Sequence, residues 1–179
     1  MKLSSATAIL AVVSVVILFG APVNSAKASP PALKSASPSP ANAELAQWKS
    51  FFALVLPAAL QNFSSMKGDM NNLPFVETYA VTASFPDIVR GCDIDHGRRP
   101  PTFWSLGCAT PSYTRSRSGD LVRDISASLP ASFVRSTNAQ GNPVWRDSSI
   151  TISTLLVLDN DAAFTILVCH DVDPDGCIK

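Results

Sequence analysis

The sequence predicts an α+β domain: a small antiparallel sheet in α-β-β-α-β-β order, with a C-terminal β-hairpin packed against one or two helices. Three observations carry this reading. Leu45, Trp48, Phe52, Val55 and Ala59 recur at helical spacing. Phe75, Tyr79, Val81 and Phe85 alternate with Thr78, Thr82 and Ser84, the pattern of a strand with one buried face. Near the end, two apolar runs lie a tight turn apart and read as a hairpin.

Taken in order, the chain of 179 residues opens on an export signal. Met1 and Lys2 give a positive start, and Ala6 to Phe19 is apolar except at Thr7 and Ser14. Ala26-Lys27-Ala28 fits the small-x-small site of a signal peptidase. The apolar run is about 14 residues, short of the roughly 20 that span a bilayer. Residues 1–28 are thus expected to be a signal peptide. Residues 29–42, mostly Ser, Pro and Ala, follow as a linker, and residues 43–179 form one disulfide-stabilised domain.

Within the domain, Asn42 is the expected N-cap of the first helix, with Glu44 in its first turn. Leu56, Leu60 and Phe63 extend its apolar stripe, and Pro57 is expected to kink or split it near Leu56. The segment from Ser64 to Pro74 reads as a polar turn. Glu77 interrupts the apolar face of the first strand near its exposed end, and residues 102–108 offer a second short strand. Leu121, Val122, Ile125 and Leu129 mark a second helix, opened at Ser118 and closed by Pro130. In the final hairpin Ile150, Ile152, Leu156 and Leu158 share a face, as do Phe164, Ile166 and Val168. A three-residue loop, Asp159-Asn160-Asp161, sets the two faces opposite each other, whereas a two-residue loop would pair Phe164 with Val157. Leu155, Val157 and Leu167 make the second face apolar too, so this hairpin is expected at the centre of the sheet.

Composition narrows the function. The whole chain carries 14 basic and 14 acidic residues; removing Lys2 and Lys27 leaves 12 against 14, a net of −2. That balance gives no footprint for nucleic acid or for an anionic membrane surface. Export makes the four cysteines disulfide partners before metal thiolates. Of the three possible pairings, Cys92–Cys108 with Cys169–Cys177 is expected, because each closes a local loop. A loop of about 15 residues is worth roughly 3 kcal/mol in the chain-entropy model.

Catalytic motifs are lacking: the sequence holds no G-x-S-x-G elbow, G-x-G-x-x-G or P-loop. Two polar constellations remain. Asp93, Asp95 and His96 follow Cys92, while His170, Asp171, Asp173 and Asp175 follow Cys169. Imidazoles and carboxylates brought together by a disulfide between these segments would ligate a divalent cation such as calcium, in a small metal-dependent hydrolase. The run from Asp171 to Gly176 resembles calcium loops, including the Asp-rich repeats of thrombospondin type 3 modules, over six residues. Counting from Asp171, Lys179 stands at the ninth position and no Glu fills the twelfth, so a disulfide clasp with at most weak calcium binding is expected. Arg98, Arg99, Arg115 and Arg117, with Trp104 and Tyr113, are the other concentration, of the residue types that anchor interfaces. Asn62-Phe63-Ser64 also matches a glycosylation sequon. The resulting expectation is a secreted or periplasmic, non-catalytic binding or envelope-associated module facing a protein or glycan, with the hydrolase as the alternative.

Overall fold

The computed structural model describes residues 39–98, 102–157 and 163–170. They lie in one compact unit, Ser37–Lys179. The expected signal peptide and the first ten residues of the linker fall outside the described residues, as do Arg99, Asp171, Asp173, Asp175, Cys177 and the Asp159–Asp161 loop.

Helix α1 spans Pro40–Ala59. It begins two residues before the expected Asn42 cap, so Pro40, Ala41 and Asn42 belong to the helix and not to the linker. Proline suits this place: its fixed φ is helical and its missing N–H is one that a first turn leaves unbonded. Ser39, in extended geometry, is the N-cap. At the other end the helix runs on through Pro57 to Ala59 without the expected split. Pro57 lies within the last turn, where little helix remains to be disturbed. Trp48, Phe51, Phe52, Val55, Ala58 and Ala59 are its buried residues, while Leu60 just beyond it is exposed.

The sheet is larger than expected. Eight strands form it: β1 Lys67–Asn72, β2 Val76–Val81, β3 Arg90–Gly97, β4 Phe103–Thr110, β5 Val134–Thr137, β6 Pro143–Arg146, β7 Ile150–Val157 and β8 Ala163–His170. Helix α2, Ser118–Ser128, falls between β4 and β5. The order is therefore α-β-β-β-β-α-β-β-β-β, a correction to α-β-β-α-β-β. All pairings are antiparallel, in the spatial order β1-β2-β3-β4-β8-β7-β6-β5. The α+β class stands in this broader form, with two helices against one large sheet.

The final hairpin supplies the middle of that sheet through β8, which pairs with both β4 and β7. Leu156 stands opposite Phe164 and Ile152 opposite Val168, the register that a three-residue loop requires. One face of the sheet meets the helices. Ile94, Leu106, Val168, Ile152 and Trp145 form a buried row across β3, β4, β8, β7 and β6. Leu121 and Ile125 of α2 and the aromatic side of α1 complete the core.

A chain of polar groups fastens α2 to α1. Trp48 Nε1 donates to Tyr113 Oη at 3.0 Å, and Tyr113 Oη donates to Asp124 Oδ2 at 2.8 Å. On the surface side, Arg117 grips both oxygens of Glu44 at 3.0 and 2.7 Å and reaches Asp120 at 3.3 Å. Loss of solvent around Tyr113, with the Asp124 carboxylate beside it, pushes its phenol well above the usual range.

Candidate functional site

Side chains on a strand alternate between faces, so residues two apart share one. The residues two positions along from the buried row of β3, β4 and β8 are His96, Trp104 and His170. Antiparallel pairing lines them up across the sheet: Glu77 stands opposite His96, His96 opposite Trp104, and Trp104 opposite His170. Both histidines of the chain thus reach the same face and flank one tryptophan.

Glu77 is the hub. Its Oε2 accepts from Tyr79 Oη at 2.7 Å and from His96 Nδ1 at 3.1 Å, and its Oε1 accepts from Arg98 Nε at 3.0 Å and Nη2 at 2.6 Å. These three donors, Tyr79 first, then His96 and Arg98, lower the Glu77 carboxyl to about 2 from its ordinary value of 4.5. The same carboxylate raises the Tyr79 phenol. An ionised carboxylate only accepts, so His96 carries a proton on Nδ1 and donates it to Glu77.

Trp104 carries two ring contacts. His96 stacks on it with ring centroids 4.0 Å apart and planes 5° from parallel. Lys67 Nζ lies 3.9 Å from the Trp104 centroid and 5.1 Å from that of Tyr79. The indole thus has an imidazole stacked on it and an ammonium over it.

The hairpin beside this cluster is open. Arg98 N–H donates to Phe75 O at 3.1 Å, which fixes the β1–β2 turn against the end of β3. Gly97 permits the close passage of β3 and β4 here, since a Cβ at that position would run into the Phe103 ring. Met70, Leu73 and Phe75 on the hairpin are 50%, 48% and 53% exposed. Phe75 is thus a correction to the expected buried face: the strand starts one residue later, at Val76.

The other candidates separate. Asp93 and Asp95 alternate with Ile94 and His96 and so lie on the opposite face of β3, where Thr78 Oγ1 donates to Asp95 Oδ1 at 2.7 Å. His96 and His170 stand on either side of Trp104, and His170 Nδ1 donates to Asn62 Oδ1 at 2.8 Å. Among the described residues, no three His, Cys, Asp or Glu side chains gather as a cation site. The sequon asparagine has its amide oxygen engaged with His170.

Of the described binding candidates, Arg98 and Trp104 both adjoin the Glu77–His96 pair, whereas Tyr113, Arg115 and Arg117 group elsewhere. Tyr113 is fully buried in the core, which corrects its reading as a surface anchor: its ring packs on Trp48 and its hydroxyl is spent between Trp48 and Asp124. Arg117 lies over the Tyr113 ring and is tied to Glu44 and Asp120, while Arg115 is exposed beside it. Lys67, Glu77, Tyr79 and Phe75 were not legible as site residues, because only the β1–β2–β3–β4 register brings them to one place.

Cys92 and Cys108 form a disulfide, with Cα atoms 4.2 Å apart across β3 and β4. Cys169 is disulfide-bonded as well; its expected partner Cys177 lies outside the described residues. No helix among the described residues is long and apolar enough to cross a membrane. The chain matches no protein-family model, no curated protein and no solved structure.

Proposed function

We propose that the chain is an exported, non-catalytic binding module whose partner is a protein carrying carboxylates, docked on the tip of the β1–β2 hairpin and the cluster behind it. One observation carries the reading. Of the six large hydrophobic side chains exposed among the described residues, Met70, Leu73 and Phe75 fall on this one hairpin, next to Arg98. Apolar anchors with an arginine at their side are what protein interfaces concentrate at their centres. Lys67 and Arg98 are matched locally by Glu77 and Asp69, and Arg98, exposed beside Phe75, is the group that can meet a carboxylate of the partner. A protein suits the site better than a glycan, because Trp104 already carries the His96 ring and the Lys67 ammonium. The leader of residues 1–28 and the Cys92–Cys108 disulfide both favour work outside the cytoplasm, secreted or periplasmic. The metal-dependent hydrolase has less in its favour, since Asp93 and Asp95 face away from His96.

A photo-crosslinking residue at position 75 tests the proposal in the native exported fraction. A discrete adduct is expected, weakened by added salt and lost in Arg98→Ala, with none from a crosslinker at Val134 on the far edge strand. Equal adducts from both positions, or an adduct indifferent to Arg98→Ala, would refute the site.

A further inference from the structure

The disulfide between β3 and β4 sits at a break in their ladder. Arg90 pairs with Ala109 and Asp93 with Gly107, so Gly91 and Cys92 together oppose Cys108 in a β-bulge. Gly91 takes φ +57°, a left-handed geometry that only glycine enters freely, and no atom lies within 4 Å of where its Cβ would be. A cleft of about 210 Å³ opens beside the bulge, lined by Val81, Ala83, Phe85, Val89, Arg90 and Cys92 among others. The two sulfur-bearing residues differ in access: Cys108 is 1% exposed, whereas Cys92 is half-buried and lines the cleft. Arg90 is exposed on that cleft and has no ion-pair partner among the described residues.

We infer that Cys92 is a thiol-exchange site for an anionic low-molecular-weight thiol of the glutathione class. The entering thiolate attacks Cys92 Sγ and forms a mixed disulfide with it. The electron pair of the broken Cys92–Cys108 bond leaves on Cys108 Sγ, which takes up a proton from water. Cys108 thiolate reverses the modification by attacking Cys92 Sγ, which restores the Cys92–Cys108 bond and expels the small thiol; a second small thiol that attacks its own half of the mixed disulfide instead leaves both cysteines reduced and releases the oxidised thiol dimer. Access selects the sulfur, because Cys108 is closed to solvent. Arg90 selects the thiol, since its charge draws an incoming anion and stabilises the thiolate. The fold survives the exchange: β3 stays paired with β4 from Asp93–Gly107 to Gly97–Phe103, and with β2 along its other edge.

The test treats the full chain with reduced glutathione without denaturant, quenches with acid, alkylates free thiols and maps the peptides. Glutathione is expected on Cys92 and the alkyl label on Cys108, with the far-ultraviolet circular dichroism unchanged. Arg90→Ala should slow the reaction with glutathione several-fold at low salt and leave the rate with 2-mercaptoethanol unchanged. An adduct on Cys108, a first adduct on Cys169, or no opening short of unfolding overturns the site. Equal slowing with both thiols overturns the part given to Arg90.

Discussion

His96 lies flat against Trp104, 4.0 Å between ring centroids, and Lys67 Nζ lies 3.9 Å from the centroid of the same indole. The arrangement is built from three strands, β1, β3 and β4, and its orientation is set by a carboxylate on a fourth strand, β2. Glu77 holds His96 by Nδ1 and Arg98 by its guanidinium, so one residue positions both the stack and the exposed cation beside Phe75.

That dependence makes Glu77 a source of acid sensitivity. Its folded pKa of about 2 lies below the ordinary value of 4.5. A depressed carboxylate contributes stability that is fully present above the unfolded value and is lost as pH falls through the folded one. The melting temperature of the native protein should therefore fall more steeply than that of Glu77→Gln between about pH 4.5 and pH 2, and the two curves should run parallel above that window. Asp120, also lowered by Arg117 and Arg123, titrates in both proteins and cancels in the difference. Curves parallel throughout would show that the hub contributes no stability.

The arrangement itself is testable through the indole. Lys67→Met removes a cation–π contact worth about 0.5–1 kcal/mol at an exposed site, while keeping a long apolar stem over the ring. Chemical denaturation should register a loss of that size, with the near-ultraviolet signal of Trp104 altered. His96→Ala should change the same signal more, because it removes the stacked ring and leaves the Glu77 oxygen one donor short.

Core and surface respond differently along the two hairpins. Ile152 is fully buried opposite Val168, so Ile152→Ala should cost on the order of 2–5 kcal/mol. Phe75→Ala removes a larger side chain from solvent and should stay within about 0.5 kcal/mol. A comparable loss in both variants would mean that Phe75 belongs to the core and not to a docking surface.

Tyr113→Phe isolates the polar link between the helices. The phenyl ring still fills the space beside Trp48, but Trp48 Nε1 loses its acceptor and Asp124, 4% exposed, loses one of its two side-chain donors. A buried polar group left unpaired costs about 1–3 kcal/mol, and this variant should lose at least that much. Arg115→Ala, at an exposed position in the same stretch, should not.

What was legible in the sequence follows from how local each signal is. Helix α2 and the register that sets Leu156 against Phe164 rest on neighbours within a few residues of one another, so period and turn length suffice. Strands β1 and β5 gave no such signal. The sequence of β1 is Lys-Gly-Asp-Met-Asn-Asn, and β5 is exposed along its whole length. Edge strands need only one partner and little burial, so they carry no apolar alternation to read. Tyr113 misled for the reverse reason: flanked by Ser112, Arg115 and Arg117 it reads as a surface aromatic, and its burial depends on Trp48, 65 residues away. The site was half visible, in Arg98, Trp104 and His96. Its hub was not, because a lone Glu in an apolar alternation looks like an exposed strand end until β3 is laid beside it.

The connection between α1 and β1 offers the sharpest test of backbone strain. Asn62 and Phe63 both adopt left-handed geometry, φ 53° and 55°. Asparagine visits that region readily and phenylalanine does not, so the turn is held from outside. Phe63 is fully buried, and Asn62 is fastened to β8 through His170. Glycine at 62 would keep the backbone free but lose the hydrogen bond, a loss of about 0.5–1.5 kcal/mol. Alanine would lose the same bond and add the left-handed penalty of roughly 1–2 kcal/mol. Asn62→Ala should therefore melt below Asn62→Gly. His170→Ala, which removes the bond from the other end and leaves the backbone untouched, should resemble Asn62→Gly more than Asn62→Ala. If alanine and glycine at 62 destabilise equally, the left-handed turn carries no strain and the His170 bond accounts for the whole effect.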